Sequence, residues 1–261
     1  MGVLQDRVAW VTGGSSGIGR ATALAMARAG AAVVAHGLDD QEITEVVNQI
    51  EDAGGRAMGV RADVSRAEEM QDAAHRIIKH FGRIDIVFAN AGINGVWAPI
   101  DDLTPEEWDK TLNINLKGTF LTIKYAAPEL RKRRGAVIVC SSVNGTRMFS
   151  NSGATAYACS KAAQVAMTKM LALEMADAGV RVNAVCPGAI QSGIHDKTIQ
   201  RNVEDVKEPV EFPEGQIPLT DGHVPEPDVV ADVVVFLASD AARHVSGSVI
   251  FVDGAQSLLQ G

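Results

Sequence analysis

Val8-Ala9-Trp10-Val11-Thr12-Gly13-Gly14-Ser15-Ser16-Gly17-Ile18-Gly19 is the stretch that decides the fold. Five residues of strand character lead into a glycine cluster, and an apolar pattern of helical period follows, so the glycines stand at a strand-to-helix turn. Glycine there lets the backbone turn tightly and approach a ligand, and the unpaired amides at the start of the helix attract a phosphate. The spacing is Gly-x-x-x-Gly-x-Gly rather than Gly-x-Gly-x-x-Gly. Taken alone, a glycine turn that holds no nucleotide accounts for it equally well.

Outward from that turn the same alternation continues. Short runs rich in β-branched residues fall at 7–12, 32–35, 56–61, 84–89, 136–141, 181–186 and 248–252, with longer amphipathic stretches at 17–29, 40–53, 66–81, 105–131, 155–178 and 227–237. Gly30, Gly54, Gly82, Gly135 and Gly179 stand where they would end helices. The alternation predicts an α/β fold, a Rossmann-type, doubly wound parallel sheet of about seven strands flanked by helices on both faces. Residues 1–261 are expected to form one domain. The stretch 192–225, dense in charge and carrying Pro209, Pro213, Pro218 and Pro225, breaks the rhythm and reads as a substrate-loop excursion.

Composition narrows the classes. With 46% apolar and 21% charged residues among 261, the chain has a sizeable core, and no apolar run is long enough to cross a bilayer. No basic segment followed by a long apolar one opens the sequence, so a soluble, cytoplasmic protein without a membrane partner is expected. A net charge of -8 with dispersed signs argues against nucleic acid. The one basic run, Arg131 to Arg134, suits a helix C-terminus. Cys140, Cys159 and Cys186 show no metal-ligand spacing, and no metal is expected.

The chemistry is read from Tyr157 and Lys161, which stand at i and i+4 at the start of the helical stretch 155–178 and share one face. A tyrosine ionises near pH ~10, and a fixed positive charge beside it would lower that value and leave a poised acid–base pair. A solvated tyrosine beside a surface lysine is the plainer account of the same spacing. Asp63, after the third strand, reads as an acceptor for an adenine amino group or as a helix cap. Asn90, after the fourth, reads as a crevice residue or a turn residue.

Together with Ser142, these features resemble the short-chain dehydrogenase/reductase family over nearly the whole chain. The family's Thr-Gly-x-x-x-Gly-x-Gly is Thr12 to Gly19, and its Asn-Asn-Ala-Gly is Ala89-Asn90-Ala91-Gly92, departing in the first position. Its helix asparagine is Asn115, its serine Ser142, its Tyr-x-x-x-Lys Tyr157 to Lys161, and its Pro-Gly Pro187-Gly188. The resemblance implies hydride transfer between a nicotinamide dinucleotide and a carbinol or carbonyl carbon, with Tyr157 as general acid and base. Lys161 would lower the tyrosine's pKa and bond the nicotinamide ribose, Ser142 would hold the substrate oxygen, and Asn115 would help Lys161 hold a relay water. Cofactor contacts are implied for Gly13, Ser15, Ser16, Gly17, Ile18, Gly19, Leu38, Asp39, Asp63, Val64, Asn90, Ala91, Gly92, Tyr157, Lys161, Pro187, Gly188, Ile190 and Ser192. A homotetramer is implied as well, and the apolar end Leu258-Leu259 fits burial at such a contact.

In the family an acid after the second strand favours NAD and a basic residue there favours NADP. Here Gly37 stands where the acid commonly lies, followed by Leu38, Asp39 and Asp40, with no cation except His36 if it is protonated. A 2′-phosphate beside Asp39 and Asp40 would meet like charge, so NAD is expected over NADP; Asp39 reads equally as a helix cap. Substrate contacts are expected from Ser142, Asn144, Tyr157 and Gln191, with Asn94, Trp97, Met148 and Phe149 as further pocket or core residues. That mixture suits a small neutral secondary alcohol or ketone, polyols and sugars included. Two other readings stand beside it: a 3-oxoacyl thioester reductase, and a dinucleotide-sensing protein without catalysis, against which the presence of both Tyr157 and Lys161 counts.

Overall fold

Seven parallel strands form the sheet in the computed structural model, which describes residues 2–207 and 216–260. Pro209 and Pro213 lie outside the described residues. The strands are β1 (Val8–Thr12), β2 (Ala32–Gly37), β3 (Arg56–Arg61), β4 (Ile86–Ala89), β5 (Ala136–Cys140), β6 (Arg181–Pro187) and β7 (Val249–Val252). Their spatial order is β3-β2-β1-β4-β5-β6-β7. Val8 of β1 lies opposite Ala32 of β2, and Ala9 lies opposite Ile86 of β4. The chain winds outward from β1 to β3, then crosses back to build β4 to β7 on the other side. Connections therefore leave in opposite directions from the carboxyl ends of β1 and β4, and a crevice opens between them.

The helices are α1 (Gly17–Arg28), α2 (Asp40–Asp52), α3 (Ala67–Phe81), α4 (Pro105–Leu112), α5 (Gly118–Arg133), α6 (Thr155–Glu174), α7 (Asp228–Ala238) and α8 (Gln256–Gln260). Side chains along β1 alternate between two cores. Val8 and Trp10 pack with Met70 and Ile77 of α3 and Leu121 of α5; Ala9 and Val11 pack with Met26 of α1, Val46 of α2 and Val234 of α7. Covering both faces is why the strands read as unbroken apolar runs, all five residues of β5 being buried.

Two expectations are corrected. The stretch 105–131 is not one helix: α4 ends at Leu112, one wide π-turn spans Asn113–Lys117, and α5 runs on to Arg133. A single π-turn inserts one extra residue and rotates the side chains beyond it; here it delivers Asn115 to the crevice side of α6, fully buried. Gly135 does not end α5. Arg134 takes the left-handed conformation (φ 54°), while a Cβ on Gly135 would meet the Asp85 carbonyl at 2.5 Å, so this glycine serves close packing. Between 192 and 225 the described residues hold only short turns and the pair Ile199–Gln200, which adds to Val96–Trp97 as a second, two-stranded sheet. Among the described residues no helix is long and apolar enough to cross a membrane.

Candidate active site

The glycine turn closes the crevice at the end of β1. Gly13 is left-handed (φ 63°), and a side chain on Gly19 would collide with the Gly13 carbonyl, so the turn folds on itself only with hydrogen at both positions. Asn90 holds the turn against β4: its side-chain amide donates to the Thr12 and Gly13 carbonyls (3.1 and 3.3 Å), and its own N–H donates to Thr12 Oγ1 (3.0 Å). The start of α1 is left open. Ser16, its cap residue, makes no side-chain capping bond, and the first turn holds no acid. An uncapped helix start behind a glycine turn has the shape and partial charge for a pyrophosphate.

Facing it stand the residues from β5 and α6. Tyr157 and Lys161, one turn apart on α6, and Ser142, two residues past β5, line one crevice of about 450 Å³ with Gly13, Ser16, Gly17, Ile18, Asn90, Ala91 and Gly92. Pro187, Gly188, Ile190, Ser192 and Asn144 complete that wall. Lys161 is buried, its Nζ 5.5 Å from the centre of the Tyr157 ring, and it donates to the Cys140 carbonyl at 2.7 Å. An ammonium has three protons, and the described residues give this one a single acceptor. It is thus provisioned for hydroxyl oxygens brought by a ligand. Burial lowers the Lys161 pKa. Ser142 Oγ accepts from the Asn144 N–H (3.1 Å), which leaves its own proton to donate.

The acidity expected of Tyr157 is corrected. Burial raises the phenol's pKa well above the ordinary tyrosine value, and the Ser142 hydroxyl opposes this. Without a ligand the phenol is a neutral proton donor.

Asn115 anchors the floor. Its Oδ1 accepts from the Ile93 N–H (2.8 Å), and its amide donates to the Ile93 carbonyl (2.9 Å) and Ser160 Oγ (3.0 Å). Its main-chain carbonyl accepts from Gln164. A Cβ on Gly92 would meet Asn115 Oδ1 at 3.2 Å and Lys161 Nζ at 3.7 Å, so both groups flank that glycine.

At the other end of the sheet edge lie Leu38, Asp39, Asp63 and Val64, outside the enclosed volume. Asp39 does cap α2, through Oδ1 to the N–H groups of Gln41 and Glu42 (2.9 and 3.0 Å). Asp63 is not the cap of α3, which is Arg66; its carboxylate takes the N–H and hydroxyl of Ser65. His36 is not a cation here. Trp10 Nε1 donates to its Nδ1 (3.1 Å), so Nε2 carries the proton and donates to the Ala62 carbonyl (2.8 Å). Burial lowers its pKa to about 4. The sheet edge nevertheless receives a cation that the reading of β2 alone missed. Arg61, at the end of β3, donates to the Leu38 carbonyl (3.0 Å) and lies 3.6 Å from Asp40.

On the substrate side the excursion crosses the crevice mouth. Its near end lies on the glycine turn, where a Cβ on Gly17 would meet the Ser192 carbonyl at 2.8 Å. At 198–201 it is pinned by Asn94, which donates to Thr198 (2.8 Å), and by Arg201, whose guanidinium donates to both oxygens of Glu107 (3.0 and 2.8 Å). This crossing brings in His195, Lys197 and Gln216, with Asn151 and Gln256 from elsewhere, none of which local sequence pattern marks. Gln191 is not part of the lining; it is exposed and donates to the Val224 carbonyl. Trp97 and Met148 are buried, and Phe149 is exposed. Among the described residues no Asp or Glu lines the crevice, and no cluster of metal-ligating side chains exists.

Comparison with known proteins adds the following. The family described as enoyl-(acyl carrier protein) reductase matches residues 13–255. The chain is similar to 3-oxoacyl-[acyl-carrier-protein] reductase FabG of Thermotoga maritima, 35% identical over 252 residues, covering 96% of this chain and 98% of the relative. It is 38% identical over 261 residues to 3beta-hydroxysteroid dehydrogenase 1 of Eggerthella lenta, covering 99% and 96%. Among solved structures, a 3-ketoacyl-ACP reductase from Sinorhizobium meliloti 1021 superposes with a TM-score of 0.92 at 51% identity, covering 97% of this chain and 99% of that one.

Proposed function

The chain belongs to the short-chain dehydrogenase/reductase family, and on that premise we propose that it interconverts a small secondary alcohol and its ketone with NAD as the redox partner. The observation that carries this reading is the convergence of Tyr157, Ser142 and a singly partnered Lys161 on the crevice that the glycine turn closes. When bound, the dinucleotide supplies or takes up a hydride. Gly13, Ser15, Ser16, Gly17, Ile18 and Gly19 hold its pyrophosphate and adjoining ribose. Leu38, Asp39, Asp63 and Val64 hold the adenosine end, and Asn90, Ala91, Gly92, Lys161, Pro187, Gly188, Ile190 and Ser192 hold the nicotinamide end.

Tyr157 gives its phenolic proton to the carbonyl oxygen in reduction and takes it back from the carbinol in oxidation. Ser142 donates its hydroxyl proton to the same oxygen, countering the charge that gathers there. Lys161 offers its two remaining protons to ribose hydroxyls. Asn115 acts as a positioning residue, fixing the Ile93 main chain beside Gly92. NAD is favoured over NADP because Asp39 and Asp40 stand at the β2 edge, His36 is neutral, and Arg61 already lies beside Asp40. Apolar side chains left open on α5, α6 and at the chain end, Phe120, Met170, Leu173, Leu258 and Leu259 among them, suit packing as a homotetramer, which static light scattering tests.

A polyol or sugar fits the amides Asn94, Asn144 and Asn151. The second reading is reduction of a 3-oxoacyl thioester, favoured by the similarity to the Sinorhizobium meliloti reductase and by the presence of Lys197 and His195 in the crevice lining. Assays of secondary alcohols, polyols, sugars and acetoacetyl thioester with NAD and NADP, read as absorbance of reduced nicotinamide, separate the two. Turnover of none of them overturns both.

A further inference from the structure

Glu42 is an acid that its own helix does not use. It occupies the third position of α2 after the cap residue Asp39, the place from which a glutamate ordinarily reaches back to close a capping box. Glu107 does this at the same position of α4, bonding the main chain of Thr104. Glu42 instead reaches sideways across the sheet edge and accepts the Ser15 hydroxyl at 2.9 Å. Ser15 is buried in the glycine turn, so this contact ties a carboxylate of α2 to the cradle itself.

Sterics at β2 explain the arrangement. A Cβ on Gly37 would meet Ser15 Oγ at 2.7 Å and Ile43 at 3.3 Å, so the end of β2 has no room for a carboxylate of its own while Ser15 faces it. The acid beside the turn comes from α2. Both capping bonds of Asp39 use one oxygen, Oδ1, and its charge is shared with the start of α2. Arg61 stands on the other side, on the Leu38 carbonyl and near Asp40. Glu42 thus adds a negative charge where Arg61 would otherwise welcome a phosphate.

We propose that Glu42, held by Ser15, is the carboxylate by which this chain discriminates between the two dinucleotides, accepting a ribose hydroxyl and repelling a 2′-phosphate. The inference rests on the reading that the glycine turn holds a nicotinamide dinucleotide. Glu42→Gln keeps an acceptor for Ser15 and removes only the charge. Isothermal titration of wild type and Glu42→Gln with NAD and with NADP reads binding without turnover. Removing one partly screened charge beside the glycine turn is expected to shift the NADP-to-NAD affinity ratio about tenfold toward NADP, with the NAD dissociation constant changed less than about threefold. Ser15→Ala, which frees Glu42 without discharging it, is expected to weaken NAD binding while shifting the ratio less. An unchanged ratio in Glu42→Gln, or a parallel loss of both dinucleotides, overturns the proposal and leaves Glu42 as a tie between α2 and the turn. A wild-type preference for NADP overturns the cofactor reading instead, and Glu42 is then still judged by the shift its substitution produces.

Discussion

Asn115→Ala puts the π-turn to a quantitative test. Asn115 is fully buried, and its side chain satisfies both main-chain groups of Ile93, the N–H at 2.8 Å and the carbonyl at 2.9 Å. Truncation leaves that donor and that acceptor without partners, and each orphaned buried group costs about 1–3 kcal/mol, so about 3 kcal/mol is the expected loss, taking the lower half of the range because water from the crevice can enter. For a chain of this size 1 kcal/mol moves the thermal midpoint by about 2–4 °C, which predicts a fall of about 6–12 °C. Differential scanning calorimetry at fixed protein concentration measures it. Because Ile93 borders the crevice and Gly92 separates Asn115 from Lys161, kcat should fall while dinucleotide affinity changes little. A midpoint within about 2 °C of wild type would refute the reasoning, since it would mean that Asn115 is not the partner holding Ile93.

Two predictions concern protons. Burial lowers the His36 pKa to about 4 from 6.5 in a free side chain, so its neutral form contributes about 3 kcal/mol of stability above pH ~6.5 that is lost as the pH falls through 4. Urea unfolding across that interval should show this acid limb, flattened in His36→Gln; parallel curves would remove His36 as its source. Burial holds the Tyr157 phenol protonated above the ordinary tyrosine value of ~10, so its contribution to stability is present below that pH and lost as the pH rises beyond it. The chain has two tyrosines, Tyr125 and Tyr157, so carbon-13 tyrosine NMR resolves the titration. Ionisation of Tyr157 near neutral pH in the dinucleotide-free chain would contradict the burial argument.

Period and punctuation carried most of the fold. Two buried faces leave unbroken apolar runs such as 136–140, and helices between them leave amphipathic ones, so all seven strands were legible from residue type alone. What was illegible depends on contacts distant in sequence. The π-turn at Asn113–Lys117 has the composition of ordinary helix; it is favoured by what Asn115 meets on the 90–94 loop and on α6, which no local pattern encodes. At the candidate site, Tyr157, Lys161 and the glycine turn were legible from their spacing, and Ser142 from the family resemblance; the fold brings them to one crevice. Lys197 and Gln256 were not, because they arrive from an excursion and from the chain's end. His36 and Tyr157 show the same limit in electrostatics: the sequence left His36 open to protonation and suggested an acidified phenol at Tyr157, whereas burial lowers the first pKa and raises the second.

The central claim is that the Tyr157 phenol moves the substrate's proton inside a crevice that binds the dinucleotide independently of it. Tyr157→Phe removes one oxygen from a residue whose ring is already buried. The steady-state kcat of that variant with NAD and the best substrate of the panel, at saturating dinucleotide, is the direct measurement. The account predicts a fall of about 10²–10⁴-fold. Turnover within a few-fold of wild type would contradict it.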